Sequence, residues 1–349
     1  MPRTALSLLL AIALATVALP AAADPCKPDN GLSSCIDANA LWMAPEGGRF
    51  VSIPHSRTLA PERFTFGVGA SYLSRPIVLK APSPDPEGRE IRVVDNAVDA
   101  TLLWAYGATR RLELGAALPM VLYQTGAGTA GLTSQSAPPV ARSAARDPRL
   151  DAAYALIDRK LDGTSRIAAK ARLALGLPFG DEQSFAGDRS FVLSPSLVSS
   201  VTLGRFYAAG SVGLRLRKTS ALAGARLGSG LWGALGAGVD ILPRGLLSFG
   251  AEAWTLPTLV SQDHTLPNGT RVQKGVLAPA EWLTSFSSSP LASGELTLQA
   301  GGGMGIPLSN EQRVAPDGTT STEHFAGITT PRFRVVLIVR YVKNSDSTH

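Results

Sequence analysis

Long apolar runs are missing from this chain after Leu19. A membrane helix needs about 20 consecutive apolar residues, so crossing by helices is excluded. Mean hydropathy is nonetheless +0.12, high for an exported soluble protein. Cys26 and Cys35 are the only cysteines, and His55, His264, His324 and His349 the only histidines. Two cysteines without companion histidines make a poor metal site, so no metal is expected. Neither HExxH nor GxSxG occurs, and the histidines lie between periodic segments. Hydrolases hold such groups on regular elements, so no catalytic residue and no enzyme activity are expected. A single sign of charge is also lacking. The net charge of +6 is scattered rather than clustered, which gives no nucleic-acid footprint.

What is present starts with an export signal. Arg3 is the positive end, residues 6–19 the apolar core and Ala21, Ala22 and Ala23 the small-residue cleavage site. Residues 1–23 are therefore expected to leave, and the net charge becomes +5 without Arg3. In an oxidising compartment Cys26 and Cys35 can pair and close a small loop. Residues 24–62 show little periodicity and are interrupted by Pro45, Pro54 and Pro61. They read as a periplasmic leader, a plug in a barrel mouth or a disordered arm.

Residues 333–341, FRVVLIVRY, set the pattern for the rest. Phe333, Val335, Leu337, Val339 and Tyr341 form one row, with Arg334, Val336, Ile338 and Arg340 between them. That is period-two order, a strand with one lipid-facing and one water-facing side. The same alternation runs from Arg63 through Tyr72, from Val94 to Tyr106 and from Leu112 to Leu122. It returns over 150–159, 166–177, 191–203, 205–217, 225–241, 246–256, weakly over 281–288, and over 295–306. The count is about twelve. Long loops (80–90, 125–148, 180–189, 218–224, about 257–277, 309–330) alternate with tight turns. Lipid offers no hydrogen bonds, so such a chain spans only as a closed barrel. Long loops outside and short turns in the periplasm are the asymmetry of outer-membrane barrels. The expected fold is all-β: a transmembrane antiparallel barrel over 63–342, a short amino-terminal periplasmic segment and a tail at 343–349. A soluble β-sandwich gives a similar alternation, and the 6% aromatic content favours it over a girdled barrel. Against it stand apolar faces too numerous for one core.

The segments SYLSRPIVL, LLWAYGATRRLELGAALPM, LALGLPFGDEQSFAGDRSF, LSPSLV and ITTPRFRVVLIVRY resemble a deltaproteobacterial class of outer-membrane barrels, often described as transporter-like. They are similar to barrels of the MetA-pathway phenol-degradation family and to barrels fused ahead of OmpA-type domains. The resemblance implies an outer-membrane barrel moving small solutes. This chain ends at KNSDSTH, so a wall-anchoring domain is not expected. The stretch GAGTAG at 126–131 matches a dinucleotide fingerprint, but no helix follows to hold a pyrophosphate. No cofactor is expected.

The inward parity carries the candidate site. Asp95, Asp99, Glu113, Glu252 and Glu295 supply acids there; Arg166, Lys170, Arg172, Arg205, Arg215, Arg217, Arg334 and Arg340 supply bases. Asp151, Asp240 and Arg226 are expected to join them. Arranged round water, these groups select solutes by sign and size. Paired with one another, they rigidify a closed interior. The bases gather on the fifth, seventh and eighth segments and the acids on the second and third, which suggests a field across the lumen. Two functions are open: a channel or transporter for small solutes, or a non-conducting envelope protein that holds partners. Lipid and lipopolysaccharide are the expected surroundings. A continuous water path argues for the first, and a lumen blocked by the leader or by ion pairs for the second.

Overall fold

A computed structural model describes Cys26 and residues 32–81, 89–130, 139–265, 269–289 and 296–343. Twelve antiparallel strands make the wall: β1 (Phe64–Ala81), β2 (Arg89–Gly107), β3 (Leu112–Thr125), β4 (Arg149–Lys160), β5 (Arg166–Gly176) and β6 (Val192–Leu203), then β7 (Phe206–Arg215), β8 (Gly230–Leu242), β9 (Leu247–Thr255), β10 (Ala280–Ser288), β11 (Leu296–Gly305) and β12 (Phe333–Lys343). Each pairs with its sequence neighbours, and β12 closes the ring on β1 with Phe66 opposite Tyr341 and Ser74 opposite Phe333. Closure leaves no unpaired edge, as lipid requires. The expected signal segment, residues 1–23, and the tail from residue 344 lie outside the described residues.

Alternation decides which side chains meet the exterior. On β12, Phe333, Val335, Leu337, Val339 and Tyr341 are all exposed, whereas Arg334, Val336, Ile338 and Arg340 are buried. Phe66, Leu102, Leu118, Leu173, Leu197 and Leu235 continue the exposed apolar belt around the ring. A belt of this extent on a water-soluble monomer would be anomalous; on a spanning barrel it is the lipid face. The few aromatics are concentrated at strand ends. Phe64 stacks on Tyr106 at 4.6 Å near the short turns, and Tyr72 packs on Phe333 at 5.5 Å toward the other end.

The parity slips near the tops of β1 and β2, where the register shifts between Ser74 and Val78. Each extra residue reverses the facing of the rest of its strand. Val94, expected on the outer row, is buried with Leu73, Ile77 and Ala97 in a cluster capped by loop residues.

Two long connections differ from the loops expected of them. His264–Thr265, Arg271–Val276, Ser309–Val314 and Thr320–Phe325 pair into a four-stranded sheet above the wall. Ser220–Leu222 and Ala225–Leu227 make a separate hairpin, so Arg226 sits in this loop structure and not on a barrel strand.

Residues 32–62 lie within the ring. Leu32 bridges to Leu222 and the Ser33 amide donates to the Ala221 carbonyl, both at the long-loop end. The Glu62 amide donates to the Gly107 carbonyl at the short-turn end. Between them Leu41, Met43, Phe50, Val51 and Ile53 pack against inward Leu103, Val198, Trp232, Trp254, Leu283, Val336 and Ile338. The inward aliphatics of β12 thus serve as the berth for this segment. Cys26 and Cys35 are joined in a disulfide, both buried.

Candidate functional site: the occupied lumen

The leader lacks hydrogen bonds of a regular element, so its backbone groups need partners inside the barrel. The wall provides them. Glu252 on β9 accepts from the amides of Val51 (2.6 Å) and Ser52 (2.8 Å) and from the Ser52 hydroxyl. The Leu59 amide donates to Glu113 Oε2 at 2.7 Å. Arg215 donates to the Ala40 carbonyl at 2.8 Å and Arg340 to the Ala44 carbonyl at 3.2 Å. Small residues let the leader come this close. A Cβ on Gly236 would stand 2.7 Å from the Phe50 ring, and one on Gly69 would stand 2.4 Å from Met43 Sδ.

Charges across the lumen are mostly paired. Lys170, fully buried on β5, lies 2.6 Å from Glu46 of the leader and 3.2 Å from Glu113 of β3. Arg172 pairs with Asp151. Arg334 makes a two-pronged contact with Glu281, 2.7 Å from Nε and 2.9 Å from Nη2, and donates to Asn39 Oδ1 at 3.0 Å. Asn39 donates onward to Asp99 at 2.8 Å. Asp99 also meets Arg146 at 3.0 Å, and Arg146 in turn pairs with Asp37. Arg49 of the leader reaches Asp240 at 2.9 Å. A lone buried ion costs several kcal/mol, which is why these wall charges meet partners on the leader or on nearby strands.

Three arginines are exceptions. Arg149, Arg215 and Arg340 are each only 4% exposed and form no ion pair among the described residues. Their Nε atoms have no hydrogen-bond partner. Arg215 and Arg149 flank the Trp42 ring of the leader at 4.3 and 5.0 Å, and Arg215 lies 5.4 Å from Trp232, itself stacked on Trp254. A desolvated cation–ring contact is worth roughly 2 kcal/mol, less than the several kcal/mol cost of burying a guanidinium.

The other expected site residues are dispersed. Asp95 lies near the top of β2, 3.8 Å from Arg75 and 3.7 Å from Arg92, apart from the contacts of Asp99. Arg166 pairs with Asp158 at 2.6 Å at the short-turn end. Arg205 is exposed in the β6–β7 turn and donates to the Asp240 and Ile241 carbonyls. Arg217 lies beyond β7 and pairs with Asp188 at 3.0 Å. Glu295 lies outside the described residues. Sequence reasoning missed Glu281, although its parity with Leu283 and Ser285 marks it as inward. It also missed Asp37, Asn39, Glu46 and Arg146, which sit in aperiodic segments and give no such signal.

Two cavities lie at opposite ends of the barrel, and leader residues line the first. One of about 370 Å³ opens at the short-turn end, lined by Arg49, His55, Arg57, Arg63, Ser248, Thr297 and Arg340. Another of about 920 Å³ lies at the long-loop end, with Val78, Leu79, Leu277, Met304 and Ile328 among its apolar lining and His264, Glu311, Arg313 and Glu323 among its polar lining.

The fold has a solved counterpart. The barrel is similar to an outer membrane channel from Pseudomonas putida F1, at 13% identity and a TM-score of 0.52, over 82% of this chain and 98% of that one. At that identity the likeness concerns fold. The toluene transporter TodX of Pseudomonas putida aligns over 90% of this chain and 97% of its own at 10% identity, with a TM-score of 0.34. Ralstonia pickettii TbuX, also a toluene transporter, aligns over 82% and 90% at 10% identity, with a TM-score of 0.35. Neither of these two scores is high enough to carry weight. No family model matches the sequence, and no curated protein matches it. None of the three structures speaks to the deltaproteobacterial class or to OmpA-fused barrels.

Proposed function

We propose that the protein is an outer-membrane channel for small solutes whose lumen is closed by its own leader. The single observation that carries this reading is the construction of the lumen. A wall strung with charges and hydroxyls encloses a separate, aperiodic segment, held by side-chain hydrogen bonds rather than by strand pairing. A barrel evolved only to be solid has simpler solutions, because packed apolar side chains replace buried ion pairs without loss of stability. The cavity at the short-turn end, lined in part by leader residues Glu46, Arg49, His55 and Arg57, supplies an approach from that side. Short turns place Glu62 toward the periplasm and the Leu32 end toward the outside, with lipid and lipopolysaccharide against the apolar belt. The proposed selective elements are the paired wall groups around Lys170, Asp99 and Arg334, together with Arg215 and Arg340.

The filled lumen also favours a second reading, a non-conducting envelope protein. Liposome swelling in graded sugars separates the two. The channel reading expects slow swelling with the native chain and faster swelling when Glu252→Ala frees Val51 and Ser52. Equal, background swelling of both proteins supports the second reading.

A further inference from the structure

We infer that the cavity at the short-turn end is a binding site for small organic carboxylates. It rests on the channel reading only for its physiological use, and binding is measurable whether or not the barrel conducts. Arg340 anchors the argument. It is 4% exposed, lines this cavity and makes no ion pair among the described residues. Among the described residues its one hydrogen bond runs to a neutral carbonyl, that of Ala44 at 3.2 Å, and its Nε has no partner. Its seat is built. A Cβ on Gly67 would stand 2.7 Å from Arg340 Cγ, and one on Gly47, whose φ is +93°, would stand 2.9 Å from Cδ. The second residue has little room for any other side chain, since L residues rarely adopt that φ.

The surroundings lean positive. Arg63 lines the same cavity, is exposed and has no ion pair among the described residues. Arg57 reaches Asp158 only at 3.5 Å, and Asp158 is already held by Arg166 at 2.6 Å. The acids in the lining are committed elsewhere. Glu46 and Glu113 both hold Lys170, and Asp240, which is not in the lining, neutralises Arg49. Ser287 and Thr297 add hydroxyls that can donate to an oxyanion, whereas the Ser248 hydroxyl already donates to Asp240 Oδ1 at 2.7 Å. Guanidinium groups match the planar fork of a carboxylate. A volume of about 370 Å³ exceeds what a bare ion needs and suits a molecule of a few carbons.

Equilibrium dialysis of the detergent-solubilised full chain against radiolabelled butyrate tests this, with n-butanol as the uncharged counterpart and protein-free micelles as the blank. The expected result is retention of butyrate above the blank, with butanol at the blank. Competition by inorganic phosphate would show that any oxyanion suffices; its failure to compete would show a site shaped for carboxylate. Either outcome supports an anion site. Arg340→Met should weaken butyrate roughly tenfold and the exposed Arg63→Gln about threefold. Should Arg340→Met fail to fold, Arg63→Gln decides alone. Equal retention of butanol and butyrate, or unchanged retention in the folded variants, overturns the inference. Butyrate retained by a barrel that gives only background swelling both as the native chain and as Glu252→Ala would overturn the channel reading and leave this site standing.

Discussion

Arg334 and Glu281 show how much a single inward pair carries. Both are fully buried, and the contact is two-pronged. Replacing Arg334 by Met leaves the carboxylate of Glu281 buried and unmatched. Such a change costs about 3–5 kcal/mol, and urea unfolding in detergent should report a loss of that size. The double replacement Arg334→Met with Glu281→Leu should recover most of it. A different residue governs the long-loop end. Asp147 accepts from the amides of Gly180 at 2.7 Å and Asp188 at 2.8 Å, tying two loops together. Burial outweighs these two donors and pushes its carboxyl up to about 6 from 3.8. The folded form therefore holds its proton more tightly than the unfolded one. The tie is strongest below about pH 4, weakens as pH rises toward 6 and is level above that. Hydrogen exchange at residues 177–191, corrected for intrinsic rates, should show this decline, and Asp147→Asn should flatten it.

Among the elements, the seam between β1 and β12 makes the sharpest geometric claim. Val68 stands opposite Val339, and Ala70 opposite Leu337. Cysteines at 68 and 339 should cross-link on oxidation in folded protein, whereas 68 with 337 should cross-link far less. Reversal of that preference would place the register two residues away. Strand β12 was legible in the sequence because its rows are pure: Arg334 and Arg340 on one side, no polar residue on the other. β10 was faint for the opposite reason. Thr284 sits on its outer row between Trp282 and Phe286, and Ser285 and Ser287 follow Glu281 and Leu283 on its inner row. The sheet over the long loops was not legible at all. TSTEHF and SNEQRV bury too little apolar surface to show a row, and beyond their own hairpin SNEQRV pairs with Arg271–Val276 of another loop. The β1–β2 bulges were hidden too, since one added residue leaves the composition of a strand unchanged.

For the molecule as a whole, ring closure was readable from two agreeing signals, face alternation and loop alternation, and the structure has both. The content of the ring was not. Leader contacts join residues far apart in the chain, Asn39 to Arg334 and Arg49 to Gln299, and no local pattern encodes such pairings. Trp42 illustrates this, since its neighbours in sequence give no hint of Arg149 and Arg215. The expected transverse field is likewise changed by the leader, because Glu46 and Asp37 bring negative charge to Lys170 and Arg146. What remains positive is the trio of Arg149, Arg215 and Arg340. Loosening the leader should therefore expose a cationic lumen. In planar bilayers, Glu252→Ala should give currents with a reversal potential shifted toward the anion equilibrium under a salt gradient. A shift toward the cation would contradict that charge inventory.

The threading of residues 32–62 dictates an order of assembly. The part of the barrel protein made early lies inside, and the strand made last closes the wall around it. A hoop already sealed would have to admit a chain carrying bulky Trp42 and Phe50 end-on. Whatever machinery inserts this barrel must hold the β1 and β12 margins apart until the early-made stretch is seated, then let them zip.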